Sequence, residues 1–259
     1  MRSMLSDAEL LRYSRQVLLQ QVDIEGQLAL KNSTVLIVGL GGLGSPVALY
    51  LAAAGVGRLL LADFDRVDHT NLQRQILHST ETVEQLKTES AQARLRALNP
   101  EIVLHSIDQQ LDTDSLAAWV QQATIVLDCT DNFLIREQLN QVCIAQQTPW
   151  ISGAAIRLHG QLTAFDPRVD NSPCYFCLYG AGDEQQLTCS EAGVLGPLVG
   201  TIGSLQALET IKQLVGFGRS MVGRLLLVDG LTTEFRELKV KRDPECPVCA
   251  TTHGSLGVK

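Results

Sequence analysis

The strongest restriction on the fold is a glycine-rich turn in a defined setting. Thr34-Val-Leu-Ile-Val38 is a short apolar run that ends on Gly39-Leu-Gly41-Gly42-Leu-Gly44. Ser45 to Ala54 then reads as a helix, with Pro46 in its first turn, where a missing N–H costs nothing. Arg58 to Ala62 is a second apolar strand, ending in Asp63. Strand, glycine turn, helix and strand in this length make a βαβ unit. The G-x-G-x-x-G spacing therefore occurs in the context that a phosphate-binding turn requires. The first glycine, Gly39, allows the tight turn, and Gly41 and Gly42 let the backbone approach phosphate. Gly44 permits close helix packing, and the helix N-terminus offers N–H groups to an anion. A structural turn with no ligand is the weaker alternative, because the pattern stands in context.

The same rhythm continues. Leu86 to Leu98 reads as a helix stopping before Pro100, Ile102 to Ile107 as a strand and Ser115 to Gln122 as a helix. Ile125 to Leu127 is a buried strand leading into Asp128-Cys-Thr-Asp131, Leu134 to Gln146 a helix, and Pro149 to Ser152 the start of a fifth strand. Strands alternating with helices predict a largely parallel, doubly wound sheet. Beyond residue 155, Arg157 to Phe165 and Arg224 to Val240 read as longer alternating strands that extend the sheet antiparallel. A helix from about Thr201 to Val215 lies between them, after a Gly/Cys-rich loop. A polar-faced helix is expected over residues 7 to 21. The predicted fold is α/β, a Rossmann-like, mostly parallel sheet extended by antiparallel strands, with a C-terminal four-cysteine zinc site. One domain is expected: a helical segment (1–30), a Rossmann-like nucleotide-binding half (31–155), an antiparallel and zinc-binding half (156–250) and a mobile tail (251–259).

Which nucleotide sits on the turn is decided by residues further along the chain. Asp63 ends the second strand, where a carboxylate reaches ribose hydroxyls, and Asp65 comes next in the same loop. To this point an NAD site fits equally well. Asn71-Leu-Gln-Arg74-Gln75 and Lys87 then add two cations, the pattern needed to neutralise a triphosphate and its leaving pyrophosphate. Taken singly, Lys87 also reads as a solvated helix lysine and Arg74 as a surface ion pair. Asp131 falls at the carboxyl edge of the sheet, placed for Mg²⁺, a hard cation that prefers carboxylate and phosphate oxygen. Its alternative is the N-cap of the next helix, a role open to Asp131 or Asn132. No Walker lysine, H-x-E deaminase signature or serine nucleophile elbow appears. ATP with Mg²⁺ is the expected ligand.

Seven cysteines occur. Cys174-Tyr-Phe-Cys177 and Cys246-Pro-Val-Cys249 are two C-x-x-C knuckles, suited to one closed, structural Zn²⁺ site. Iron–sulfur is less favoured for want of redox machinery, and four free thiols or a redox pair remain as alternatives. Cys189 stands in the polar stretch Leu187-Thr-Cys-Ser-Glu191 and is a candidate nucleophile if its pKa is depressed, or else an ordinary small residue. Cys129 and Cys143 are expected to be buried. The odd count, with no apolar export signal in the first 30 residues, argues against a disulfide scaffold and for a cytoplasmic protein. A formal net charge of -7 speaks against a nucleic-acid face, and no stretch is long and apolar enough for a membrane span.

Gly39-Leu-Gly-Gly-Leu-Gly44, Asp63/Asp65, Asn71-Leu-Gln-Arg-Gln75, Lys87, Cys129-Thr-Asp-Asn132, Ser152-Gly-Ala154 and the two knuckles together resemble the E1-like ubiquitin-activating superfamily. Within it they resemble the bacterial ThiF/MoeB/HesA group, from about residue 7 to 250. Leu10-Leu-Arg-Tyr-Ser-Arg-Gln16 and Glu191-Ala-Gly-Val194 resemble its molybdopterin branch. The resemblance implies ATP-dependent adenylation of the C-terminal Gly-Gly carboxylate of a ubiquitin-like sulfur carrier, the small subunit of molybdopterin synthase. The same chemistry on the thiamine-pathway carrier is the runner-up. It assigns the ribose to Asp63, the phosphates to Asn71, Arg74 and Lys87, and Mg²⁺ to Asp131. It further implies a homodimer in which Arg15 reaches the partner subunit's ATP, and a separate sulfur donor protein, since no rhodanese-like extension comes after Cys249. By the same resemblance, Cys189 occupies the position of the cysteine that joins covalently to the carrier in the thiamine branch. Two other classes compete: a non-catalytic E1-like scaffold, which should lack Arg74, Lys87 or Asp131, and an NAD-dependent oxidoreductase, for which a proton-transfer pair is missing.

Overall fold

The computed structural model of the chain describes residues 4–180 and 192–250. Thr34–Val38 (β1), Arg58–Ala62 (β2), Val103–Ile107 (β3), Ile125–Asp128 (β4) and Trp150–Ile156 (β5) pair in parallel. His159–Phe165 (β6), Arg224–Asp229 (β7) and Glu234–Lys239 (β8) add on antiparallel. The eight strands form one sheet in the order β3-β2-β1-β4-β5-β6-β7-β8. The chain reverses its direction of winding between β1 and β4, and a crevice opens there at the strands' carboxyl ends.

The parallel strands read as unbroken apolar runs because both faces are covered. On one face, Val35 and Ile37 of β1 pack against Gly44–Ala54 (α4), Lys87–Leu98 (α5) and Gly196–Val215 (α9), together with Leu30 of Asp23–Lys31 (α3). On the other, Leu36 and Val38 meet Thr113–Val120 (α6), Phe133–Ala145 (α7) and Tyr175 of Tyr175–Tyr179 (α8). Burying each such aliphatic side chain stabilises by about 1.5–3 kcal/mol, so β1 is the anchor of the sheet.

Three local differences from the sequence reading have physical causes. The expected helix over residues 7 to 21 is two short helices, Asp7–Arg12 (α1) and Ser14–Val17 (α2), with a turn and then α3 after them. Tyr13 leaves the helical path because its ring is buried in the core, where its hydroxyl accepts a hydrogen bond from Asn99 Nδ2 at 2.8 Å. Tertiary anchoring overrides helix propensity here. The run to Val240 is a hairpin, β7 and β8, turning through Thr233 in the left-handed region (φ 60°). Finally, α9 begins at Gly196 rather than near Thr201, with Pro197 in its first turn.

Candidate functional site

A cavity of about 870 Å³ lies at the carboxyl ends of β1, β2, β4 and β5. Its floor is the glycine turn. Gly39 has φ +93°, a conformation that side-chain-bearing residues rarely adopt. A Cβ on Gly44 would lie 2.0 Å from the Gly39 carbonyl oxygen, so the turn closes only with glycine at both ends. A Cβ on Gly41 would meet nothing nearer than the Gln75 amide at 3.6 Å, leaving that stretch of backbone open to the cavity. No side chain caps the N-terminus of α4, so its positive end faces the crevice uncompensated.

Asp63 is drawn into this turn. One carboxylate oxygen accepts the Leu40 N–H at 2.7 Å and the other accepts the Asp65 N–H at 2.9 Å. Burial raises its pKa against the opposing pull of Lys87. The Lys87 ammonium lies 2.9 Å from Asp65 Oδ2 and 3.9 Å from Asp63 Oδ2, with its side chain only 7% exposed. It is therefore not a solvated helix lysine. This buried ammonium, beside two carboxylates, lines the cavity next to the glycine turn. Asn71 accepts the backbone N–H groups of Arg74 and Gln75 on its carbonyl at 3.1 and 2.9 Å. This single turn sets Asn71, Arg74 and Gln75 side by side on the cavity wall. Gln75 is buried, and its Oε1 has no hydrogen-bond partner among the described residues. An orphaned acceptor of that kind marks a place where a ligand donor fits.

The opposite wall is the end of β4. Asn132 Oδ1 accepts the N–H groups of Leu134 and Ile135 at 2.9 and 3.4 Å, so Asn132 is the N-cap of α7. That leaves the neighbouring Asp131 carboxylate exposed on the cavity wall, outside the capping arrangement. Below it lies a buried ion pair. Asp128, fully buried, is joined by Arg136 Nε at 3.1 Å and by the Ser152 hydroxyl at 2.7 Å. Arg136 Nη2 also donates to the Thr130 carbonyl at 2.6 Å, and Gln206 Nε2 from α9 donates to the Asp128 carbonyl at 2.7 Å. These polar groups hold the loop from residue 129 to 132 from beneath.

The two knuckles converge away from this cavity. Cys174 and Cys246, 72 positions apart, bring their Sγ atoms to 3.7 Å, and Cys177 and Cys249 to 3.5 Å. Cys174 and Cys177 lie 3.8 Å apart, and all four sulfurs fall within 4.8 Å of one another. Four thiolates at a metal–sulfur distance of about 2.3 Å stand about 3.8 Å apart, so the cluster fits a tetrahedral ion. Asp243 N–H donates to Cys177 Sγ, and Arg242 Nη2 to the Cys249 carbonyl, tying the second knuckle to the first.

One cavity thus gathers Gly39, Gly41, Gly42, Asp63, Asp65, Asn71, Arg74, Gln75, Lys87, Asp131 and Asn132. Gly44 stands at the start of α4 behind the turn. Arg15 is exposed on α2 and does not reach the cavity of its own chain. Cys189 and the segment 251–259 lie outside the described residues. Cys129 and Cys143 are buried, with thiol pKa values pushed up by desolvation. Asp128, Arg136, Gln206 and His78 were not singled out from sequence. The only signal for the first pair was a charged residue at the end of an apolar strand, with an arginine on a helix eight positions later.

Fold and site define an ATP-utilising class of α/β protein with a four-cysteine cluster that can hold a metal. The chain belongs to the ThiF family, whose model matches residues 13–248. It is 53% identical over 245 residues to the molybdopterin-synthase adenylyltransferase of Escherichia coli K12, covering 95% of this chain and 98% of that one. It is 46% identical over 245 residues to the sulfur carrier protein ThiS adenylyltransferase of the same organism, covering 95% and 97%. Among solved structures, E. coli MccB with ATP aligns with a TM-score of 0.78 at 26% identity, over 88% of this chain and 70% of that one. No helix among the described residues is long and apolar enough to cross a membrane.

Proposed function

We propose that this chain adenylates the C-terminal Gly-Gly carboxylate of a ubiquitin-like sulfur carrier, the small subunit of molybdopterin synthase, at the expense of ATP. The observation that carries this reading is that Arg74, Lys87 and Asp131 line one cavity floored by the glycine turn. A carrier carboxylate oxygen attacks the α-phosphorus of ATP, the bond to the β-phosphate bridge breaks, and pyrophosphate leaves with its electron pair. A terminal carboxylate is already ionised at neutral pH, so no general base is needed. The obstacle is repulsion between two anions. Lys87 turns from Asp65 toward the phosphates, Arg74 and Asn71 hold them, and Asp63 with Asp65 takes the ribose side.

Asp131, with its carboxylate outside the capping arrangement, suits Mg²⁺, which usually takes only one or two protein carboxylates beside phosphate oxygens. The ion supplies charge neutralisation when bound. The cysteine cluster suits Zn²⁺ in a structural role. The chain works as a cytoplasmic homodimer, Arg15 serving the partner subunit's site, and a separate protein donates sulfur to the adenylated carrier. Any role of Cys189 comes after adenylation, so Cys189→Ala leaves pyrophosphate release intact. The thiamine-pathway carrier is the second reading, supported by the 46% identity to a ThiS adenylyltransferase against 53% for the molybdopterin relative.

The test is pyrophosphate release from ATP and Mg²⁺ with each Gly-Gly carrier in turn. Release with the molybdopterin synthase small subunit is expected. Release only with the thiamine carrier moves the assignment to the second reading, and no release with any carrier sinks both.

A further inference from the structure

His78 is a buried imidazole that does not line the cavity. Its contacts nonetheless join the three segments that form the phosphate wall. Nε2 lies 3.0 Å from the Leu40 carbonyl oxygen, inside the glycine turn. Nδ1 lies 2.9 Å from Ser90 Oγ, one helical turn past Lys87 on α5. Its own N–H donates to the Gln75 carbonyl at 3.1 Å, at the end of the turn that carries Asn71, Arg74 and Gln75.

The proton positions follow from the partners. A carbonyl oxygen only accepts, so Nε2 carries the hydrogen toward Leu40. Burial first, and then the Lys87 ammonium, keep the ring neutral, while the Leu40 contact works the other way. Nδ1 faces the Ser90 hydroxyl, whose Oγ is also within hydrogen-bond distance of Thr82. Thr82 Oγ1, 3.0 Å from Ser90 Oγ, is held by Ser79 through its carbonyl and N–H. Leu40 is gripped from both sides, its N–H by Asp63 and its carbonyl by His78.

We propose that His78 is a positioning residue for the adenylation reaction, fixing the spacing between the glycine turn, the Asn71–Gln75 turn and Lys87 through its Nε2–H bond to Leu40. This rests on the reading given under Proposed function. The geometry separates it from a core histidine that merely fills space. Only the Nε2 arm reaches the phosphate turn, and a glutamine amide nitrogen reaches about where Nε2 stands, whereas an asparagine amide reaches only about Nδ1.

The test compares His78→Gln with His78→Asn. Both remove the ring, but only the glutamine keeps a donor for Leu40. His78→Asn is expected to lower kcat for pyrophosphate release about tenfold, as a small misplacement of catalytic groups does, with His78→Gln within about threefold of the unaltered chain. Equal rates for the two variants, or a His78→Asn rate equal to that of the unaltered chain, overturn the proposal. ATP·Mg²⁺ affinity by calorimetry, independent of any carrier, should fall in the same order. If the unaltered chain binds ATP but releases no pyrophosphate, the proposed function fails alone, and the affinity order still decides the role of His78. If it binds no ATP, both fall. Should His78→Asn not fold, His78→Met takes its place, matching glutamine in length but offering Leu40 no donor: a kcat about tenfold below that of His78→Gln is expected, and equal rates for the two overturn the proposal.

Discussion

The nucleotide cavity and the cysteine cluster are two binding sites built on opposite plans. The cavity is made where parallel strands end. Its glycines, Asp63 and Asp131 sit at the tips of β1, β2 and β4, whose apolar bodies form the main core. The cysteine cluster joins segments 72 positions apart and packs only with a small apolar group, Ile144, Phe176 and Val248 among it. The first site is held in shape by the fold. The second has few packing contacts of its own, so a bound metal is expected to supply much of its rigidity. The contrast to be tested is between preorganisation for chemistry and metal-coupled folding.

The sharpest way to break this contrast is metal removal. A tight zinc chelator should expose residues 241–250 to limited proteolysis, while the β1–β5 region stays protected and ATP affinity changes little. Binding of zinc to such sites carries about 10–16 kcal/mol in isolated finger peptides, so loss of local order should be complete. Elemental analysis should find one zinc per chain. Collapse of ATP binding on chelation would show that the two sites are one cooperative unit.

Next in size, Asp128→Ala leaves Arg136 buried and unpaired beneath the cavity. Breaking a buried pair on one side costs about 3–5 kcal/mol, readable as a lower urea midpoint. By contrast, Asp131→Ala or Arg74→Ala should cut pyrophosphate release about 10²–10³-fold while shifting stability by less than about 0.5 kcal/mol. A large stability loss in Asp131→Ala would mean the cavity wall is not preformed.

The smallest effect is acidic. Burial holds His78 below its ordinary pKa, so the folded ring refuses a proton that the unfolded ring accepts below about pH 6.5. The unfolded state then binds more protons, and stability falls as pH drops through that window, by at most about 1.4 kcal/mol per unit. Above it the contribution is constant. Urea unfolding at pH 7.5 and 5.5 should show this slope in the unaltered chain and a shallower one in His78→Gln.

The difference between the two sites also explains what the sequence disclosed. Glycine spacing, strand-end aspartates and C-x-x-C pairs are local patterns, so the turn, Asp63, Asp131 and the knuckles were legible without coordinates. The knuckles' mutual approach followed only from the chemistry of thiolates. Asp128, Arg136, Gln206 and His78 were not legible, because each gains its role from a partner on a different element. Gln206 reaches Asp128 across 78 positions, and no periodicity encodes that. The break at Tyr13 escaped for the same reason: its cause is Asn99, 86 positions away. Asp131 and Asn132 are adjacent and equally able to cap a helix in principle, and only coordinates assign the task to Asn132.

The long interval between the knuckles bears on how the chain comes off the ribosome. Among the described residues, every strand of the sheet precedes Cys246 in sequence. Domains assemble from the N-terminal side during synthesis, so the segments of β1 to β8 leave the ribosome ahead of the second knuckle. A metal held by all four cysteines would then be captured last. A metal-starved cell would accumulate chains whose nucleotide cavity is built but whose final clasp is open, a pool that can be matured without new translation.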